Sequence, residues 1–336
     1  MEPIKEPTPL VLVTSSPHMH CGLTIGKSMR EVMLALVPAI IASVYYFRMS
    51  ATIVMVTCVV SAIVFETICN KVMHKPNTVQ DGSAALTGLL LAMCLPASMP
   101  PLFAAMGSMF AIVVGKAVFG GLGCNIFNPA HIGRAILLAS FPQQMTNWVL
   151  PATAAASDAV STATPLAVMR ATEKIWQAGG AASAAKLPDL MNLFWGNVGG
   201  SLGETCVPAL VLGGLYLIYK KLIDWRIPVF YLVTVAILTG VYGAVMGYPS
   251  TFPLYHLFAG GLMIGAFFMA TDWVTSPITK KGKIIYAIGL GVLTSLIRLR
   301  GSYTEGVCYS ILMMNMVTPM IDRFVRNVSF GGGLKK

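Results

Sequence analysis

The chain alternates long apolar runs with short polar intervals. A hydrocarbon core about 30 Å thick is crossed by about 20 helical residues, so these runs predict about ten transmembrane helices. The clearest predicted spans are 28–47, 51–70, 102–119, 205–219, 227–247, 254–272, 284–300 and 305–322. Two shorter segments, 83–95 and 132–141, are bounded by Gly and Pro, which predicts half-helices or tilted segments.

Lys and Arg are concentrated just beyond the apolar runs, as in cytoplasmic loops. With Lys27 just before the first span and Arg30 at its start, this predicts that both termini are cytoplasmic. Arg298, by contrast, is expected on the outside as an exception. The longest polar interval, 142–203, then lies on the outer side, and its length favours a functional role. The predicted order is a cytoplasmic arm (1–27), a first membrane repeat (28–141), the exterior loop (142–203), a second membrane repeat (204–325) and a cytoplasmic tail (326–336).

The membrane region contains a weak internal sequence similarity. The segment from Leu86 to Pro96 resembles the one from Gly261 to Thr271, and segments with Asn and Pro follow at Asn125–Pro129 and Asn315–Pro319. The two copies lie five predicted spans apart, and an odd offset reverses orientation in the membrane. The predicted fold is therefore an all-α polytopic membrane protein of two inverted five-helix repeats, an arrangement that places binding sites at the repeat interface.

Composition supports lipid as the main solvent. Of 336 residues, 56% are hydrophobic and only 11% charged, with mean hydropathy +0.73, whereas soluble domains carry about 25% charged residues. The net charge of +10 belongs to loops next to apolar runs, so no nucleic-acid partner is expected. The seven cysteines are scattered without a CxxC pair, and the spacing of His18, His20 and Cys21 matches no standard metal site.

One exterior motif carries chemistry. Within 142–203 stands Asp158-Ala-Val-Ser161-Thr162-Ala163-Thr164-Pro165. It resembles the signature Asp-x-x-Ser/Thr-x-Ala-Thr of flavin transferase substrates, in which FMN is joined through its phosphate to the final threonine. The resemblance implies covalent FMN on Thr164, within a recognition sequence that includes Asp158, Ser161 and Ala163. Such chemistry requires an exposed acceptor hydroxyl, and small neighbours leave room for the transferase.

The same family resemblance extends along nearly the whole chain. Segments at Gly120–Ala130, Gly200–Thr205, Ala270–Pro277 and Asn315–Asp322 are similar to the RnfD and NqrB family. The short region before the first span is closer to the RnfD branch. The resemblance implies a prokaryotic inner-membrane complex of six subunits, the Rnf complex, with partners A, B, C, E and G. That complex moves electrons between ferredoxin and NAD while transporting Na⁺ or H⁺. This chain would relay electrons and carry out no NAD chemistry alone.

A second, noncovalent flavin such as riboflavin is consistent with that family. Asn125 and Asn128, beside Pro129, form either a flavin or ion contact or a structural elbow. Ionisable residues within or at the ends of the predicted spans are further candidates for an ion route, with Asp272 and Glu305 preferred because they lie in breaks of the repeat. The full set is Glu66, Glu204, Asp272, Glu305 and Asp322.

Two other functions fit the apolar pattern. A passive channel or solute transporter would also have many spans and inverted repeats, but it has no use for the motif at Asp158–Thr164. An NqrB-like component of a Na⁺-translocating quinone reductase would have a quinone pocket and a longer N-terminal region. The electron-relay prediction is preferred because it accounts for both the attachment motif and the short N-terminal region.

Overall fold

In the computed structural model, the described residues are 24–76, 78–151, 161–177, 189–204, 206–301 and 305–326. They form thirteen α-helices and one pair of two-residue strands. The helices are α1 Ile25–Val72, α2 Ser83–Met93, α3 Pro101–Ile112, α4 Pro129–Ser140, α5 Pro142–Met145, α6 Pro165–Gln177, α7 Leu190–Trp195, α8 Val207–Tyr219, α9 Arg226–Met246, α10 Phe252–Phe258, α11 Leu262–Ile264, α12 Lys280–Arg300 and α13 Val307–Phe324. Short 3₁₀ turns lie at Val79–Asp81 and Leu202–Glu204, and π-helical turns at Val113–Ala117 and Gly265–Met269.

Helix α1 consists of two arms. Its 48 residues would extend about 72 Å, more than twice the hydrocarbon thickness. Arg48 interrupts it with φ 50° and ψ −129°, outside the helical region. This break falls between the predicted spans 28–47 and 51–70. The helix begins three residues before the predicted boundary, at Ile25, because Thr24 caps it by accepting a hydrogen bond from the Lys27 N–H at 3.3 Å.

Several helices have membrane-spanning character. Among the described residues, three helices are long and apolar enough to cross a bilayer, α1, α9 and α12, or four spans if a bent pair is counted. Shorter apolar helices lie at Ser83–Met93, Pro101–Ala117 and Val207–Tyr219. The chain is therefore a helical membrane protein. The count of ten spans and the two inverted repeats stay predictions.

The segment predicted as one span over 254–272 is broken. Helix α10 ends at Phe258, and α11 with its π-helical continuation runs from Leu262 to Met269 at 64° to it. Gly260, at φ +69°, forms the turn, a conformation that L side chains rarely adopt. The Arg298 guanidinium donates hydrogen bonds to the carbonyls of His256 and Ala259 that the break frees. The break is thus stabilised by a distant helix.

The interval 142–203, which was predicted to lie outside, contains secondary structure that the sequence pattern did not predict. Strand β1 (Trp148–Val149) pairs antiparallel with β2 (Ser161–Thr162), in the register Trp148↔Thr162 and Val149↔Ser161. Helices α5, α6 and α7 lie in the same interval. The fold is mostly helical, as predicted, and the short strand pair just before Thr164 is a local addition to it.

The two short buried helical segments meet at the centre of the bundle. Helix α2 is buried along most of its length, and so is the π-helical turn Gly265–Met269. The Sγ of Cys94, at the end of α2, lies 3.7 Å from the sulfur of Met269. Around them, α1 packs against α2, α3 and α8, and α9 packs against α12. Two helix ends therefore lie inside the protein, which surrounds their backbone.

Candidate functional site

Thr164 caps helix α6. Its Oγ1 accepts a hydrogen bond from the Ala167 N–H at 3.1 Å, and its carbonyl accepts one from the Val168 N–H at 2.9 Å. Pro165, which lacks an N–H, occupies the first helical position, where none is needed. Ala163 is exposed. Asp158 lies outside the described residues, and so does the side chain of Ser161, whose backbone forms β2.

The hydroxyl of Thr164 is buried, contrary to the prediction of an exposed acceptor. Thr164 is only 5% exposed, because α6 packs onto the bundle with Leu166 and Met169 inward. The Arg170 guanidinium also donates a hydrogen bond to the Gly301 carbonyl at the end of α12. An enzyme can therefore reach the hydroxyl only while the start of α6 is displaced.

Helix α6 lies against the break between α10 and α11. A Cβ built on Gly260 would lie 2.7 Å from Cδ1 of Leu166 and 2.8 Å from Nη2 of Arg298. Ala259, on the same turn, packs in one apolar cluster with Leu166 and Leu193. The helix that Thr164 caps is thus in contact with the interrupted helix.

A cavity of about 290 Å³ opens elsewhere in the bundle and brings together three of the predicted residues. Asn125, Asn128 and Asp272 all line it. The Oδ1 of Asn128 caps α4 by accepting from the Ala130 N–H at 3.0 Å, and its Nδ2 donates to the Met269 carbonyl at 3.3 Å. The other residues that line the cavity are Ile25, Ser28, Met29, Val32, Ser83, Leu86, Thr87, Leu90, Lys116, Leu122, Gly123, Pro129, Ala130, Leu217, Leu222, Ile223, Phe268, Thr271, Trp273 and Val274.

Lys116, which lines the cavity, belongs to a buried ion pair. The Nζ of Lys116 lies 2.9 Å from both carboxylate oxygens of Glu66 and 2.6 Å from the Ser83 hydroxyl. The Thr78 hydroxyl donates a further hydrogen bond to Glu66 at 2.7 Å. The sequence analysis named Glu66 but missed Lys116. A lysine inside the apolar run 102–119 was the available signal, because a buried charge in a membrane segment needs a partner.

Glu305 lies apart from the cavity, paired with Arg134 of α4. The structure therefore does not bring Glu305 and Asp272 together. Glu204 faces the same region as Glu305: a Cβ built on Gly261 would lie 3.8 Å from Oε1 of Glu204 and 3.9 Å from Nη1 of Arg134. Within the described part of the chain, Oε1 of Glu204, Oε1 of Glu305 and Nε of Arg134 are buried without a hydrogen-bond partner.

Two of the remaining predictions concern Asp322 and Arg298. Asp322 accepts a hydrogen bond from the Ile278 N–H at 3.1 Å and so connects α13 to the turn before α12. Arg298, expected as an exterior exception to the charge pattern, is 3% exposed. Besides the two carbonyls at the helix break, it donates to the Glu305 carbonyl at 2.9 Å. Sequence reasoning assigned no role to Arg134 or Arg298, whose partners lie on other helices.

The match to a family model decides the family. The NQR2, RnfD, RnfE family matches residues 12–331. The chain belongs to this family. The match includes Thr164, the cavity and the Arg134–Glu305 pair within one stretch, so the NQR2, RnfD, RnfE resemblance seen in short segments is confirmed over nearly the full length.

Individual relatives also support this family assignment. The chain is 52% identical to the D subunit of the proton-translocating ferredoxin:NAD⁺ oxidoreductase complex of Clostridium ljungdahlii, over 95% of this chain and 96% of the relative. It is 45% identical to the D subunit of the Na⁺-translocating ferredoxin:NAD⁺ oxidoreductase complex of Acetobacterium woodii, over 95% of each chain. It is also 38% identical to the D subunit of an ion-translocating oxidoreductase complex of Stutzerimonas stutzeri, over 92% of each.

Proposed function

We propose that this chain is the membrane electron-transfer component RnfD of an ion-translocating ferredoxin:NAD oxidoreductase (Rnf) complex, and that it carries FMN on Thr164. Relatives with that place in their complexes, at 52% and 45% identity, support the assignment. The single observation that carries the electron-relay role is the attachment motif ending at Thr164, which begins helix α6. Amino-acid side chains such as those around Thr164 do not take up electrons reversibly, so a flavin would supply that chemistry.

The position of Thr164 suits a phosphoester. The first turn of α6 presents backbone N–H groups that no helical carbonyl accepts, and the helix dipole favours negative charge there. The Ala167 N–H that donates to Thr164 Oγ1 is one of these groups. Because the hydroxyl is buried, a flavin transferase would have to act before α6 docks or while its first turn is open.

A second, noncovalent flavin such as riboflavin would occupy the cavity lined by Asn125, Asn128 and Asp272. Ligand sites are mostly apolar with a few oriented polar groups, and this cavity combines amide and carboxyl groups with the rings of Phe268 and Trp273. At about 290 Å³ it is at the lower end of typical ligand cavities. The Lys116–Glu66 pair would place charge beside the bound ring.

An ion route would pass the Arg134–Glu305 pair. The unpartnered carboxylate oxygens of Glu305 and Glu204 lie near Arg134 and the break between α10 and α11, and interrupted helices commonly line ion sites. Carboxylate oxygens bind either Na⁺ or H⁺. The relatives include one named proton-translocating and one named Na⁺-translocating, so the transported ion stays open between the two.

We also propose ten crossings in two inverted halves, with both termini cytoplasmic in a prokaryotic inner membrane and 142–203 outside. The element order supports this: the two arms of α1, then α2, α3 and α4, are followed by α8, α9, the α10–α11 pair, α12 and α13. The segments around Asn128 and Asn315 are less similar in structure than their sequences suggested. Asn128 caps the start of α4, whereas Asn315 lies inside α13.

Electron transfer through the assembled six-subunit complex tests the relay role. Complexes with the wild-type chain or Thr164→Ala would be purified after co-expression with a flavin transferase and checked for equal amounts of this chain. We expect the variant to lose ferredoxin-dependent NAD⁺ reduction. Full activity would contradict the relay and favour a passive channel or transporter. A quinone-reducing activity of the wild-type complex would instead favour the NqrB-like alternative.

A further inference from the structure

Two buried titratable side chains face each other between helix α6 and the membrane bundle. Glu173 of α6 and His256 of α10 are 6% and 3% exposed. The Nε2 of His256 lies 4.0 Å from Oε1 of Glu173. Within the described residues, neither ring nitrogen of His256 has a hydrogen-bond partner. Burying an imidazole without hydrogen-bond partners destabilises the folded protein. A ligand that bonds to both His256 and Glu173 would remove this cost.

A row of aromatic rings leads from α6 to the imidazole of His256. Trp176 lies 4.8 Å from Tyr248, Tyr248 lies 5.1 Å from Phe252, and Phe252 lies 4.7 Å from His256, measured between ring centroids. These rings form a continuous row from α6 to α10. At 6% exposure, an ionised Glu173 carboxylate would lose most of its hydration, which favours a bound proton or an ion-pair partner.

The charges around the pair limit it to one proton. The Arg170 guanidinium on α6 acts on Glu173, and the Arg298 guanidinium on α12 acts on His256. Farther along the same elements, the Asp189 carboxylate before α7 acts on Tyr255 of α10, and Tyr248 before α10 contacts Trp176 of α6. The two guanidinium groups are held by carbonyls, Arg170 by Gly301 and Arg298 by His256 itself. A doubly protonated pair would add a third positive charge beside these two guanidinium groups.

We propose that Glu173 and His256 share one proton and form a protonation site that joins helix α6 to α10. The ligand is a proton, held either on the carboxyl group with a neutral imidazole or on the imidazole with an ionised carboxylate. At 4.0 Å the two atoms are too far apart for a direct hydrogen bond, so a small side-chain rotation or a bridging water completes it.

The site exchanges its proton near neutral pH. Burial raises the pKa of Glu173 to about 7, although the Arg170 guanidinium lowers it. The pKa in the folded chain therefore exceeds the value of about 4.3 for an unfolded glutamate. The corresponding stabilisation is fully present below about pH 4.3 and is lost as the pH rises through about 7. Loss of the proton thus weakens the contact between α6 and α10.

The protonation site and the attachment site lie on one helix. Glu173 follows Thr164 by nine residues, which is about 14 Å along a helix axis. A change in how α6 is held against α10 would move the start of the helix. The consequence for electron transfer rests on the proposed function, because it requires the flavin on Thr164. The protonation site itself does not require it.

Infrared difference spectroscopy of the purified complex, recorded as the pH is varied, tests the site without depending on flavin. In the wild type we expect a protonated-carboxyl band that titrates with a midpoint near pH 7. The band should be absent from Glu173→Gln and unchanged in Lys174→Gln, a matched control because Lys174 is the exposed neighbour on the same helix. His256→Gln should keep the band but shift its midpoint, because the proton has lost its second acceptor.

Two results would overturn the proposal. A neutral-range carboxyl band that persists in Glu173→Gln would assign the proton elsewhere. An unchanged midpoint in His256→Gln would show that Glu173 titrates alone. As a check on folding, each variant should co-purify with the other subunits, and the melting temperature of Glu173→Gln should vary less with pH than that of the wild type. A wild-type complex lacking flavin on Thr164 but retaining the band would reject the proposed function and keep the protonation site.

Discussion

The guanidinium of Arg134 on α4 is ion-paired with the carboxylate of Glu305, 171 positions later and just before α13. Their side chains are 5% and 14% exposed. The pair therefore connects the first half of the bundle to the second, within a low-dielectric region. Removing one partner of this buried pair should therefore destabilise the protein more than removing one partner of a surface pair.

Replacing one partner of this pair should strongly destabilise the chain. In Arg134→Gln or Glu305→Gln a buried charge loses its counterion, which typically costs about 3–5 kcal/mol. The double variant Arg134→Gln/Glu305→Gln should lose less than the sum of the two. Lys220→Gln is the control, because the Lys220–Glu31 pair is 3.9 Å apart with Lys220 42% exposed and is worth about 0–1 kcal/mol. Thermal unfolding in detergent measures all four; strict additivity would contradict a coupled pair.

Gly260→Ala should displace α6 from the helix break. An alanine at φ +69° costs about 1–2 kcal/mol, and its Cβ would approach both Leu166 and Arg298. The matched control is Gly240→Ala in α9, where the nearest atom would lie at an ordinary 3.5 Å and the helix should gain slightly. Limited proteolysis between 142 and 203 reports the docking of α6. Equal cleavage rates in the two variants would contradict the contact.

Asn128→Ala should weaken the binding of the noncovalent flavin. The substitution removes the cap of α4, worth about 1 kcal/mol, and one amide that would bind the ring, worth about a tenfold change in affinity. Flavin extracted by acid should be measured in a Thr164→Ala background, in which no covalent flavin contributes. Asn192→Ala, at an exposed position of α7, is the control. Undiminished extractable flavin in Asn128→Ala would place any second flavin outside the cavity.

Local sequence pattern predicted the helical segments well. The apolar runs 28–47 and 51–70 lie on the two arms of α1, and the short segment 83–95 corresponds to α2 (Ser83–Met93). These elements follow from the length and periodicity of apolar residues, which the sequence displays directly. Asn125, Asn128 and Asp272 were predicted as separate candidates, and their grouping around one cavity emerges only in the folded chain.

Features that depend on distant partners were not predictable. The break at Gly260 is held by Arg298 of α12, and Lys116 finds Glu66 50 positions earlier. The burial of Thr164 likewise depends on the docking of α6 through Arg170 and Gly301. Each of these three features depends on two elements that come into contact only in the folded chain. The residue pattern of a single segment carries no information about such a contact.

In-gel flavin fluorescence under denaturing conditions tests the central claim, covalent attachment at Thr164, most directly. Wild type, Thr164→Ala and Thr162→Ala would each be co-expressed with an active flavin transferase. Thr162, at a variable position of the motif, provides the matched control. We predict fluorescent bands for wild type and Thr162→Ala and a dark band for Thr164→Ala. A dark wild-type band beside a fluorescent control substrate, or a fluorescent Thr164→Ala band, would contradict the account.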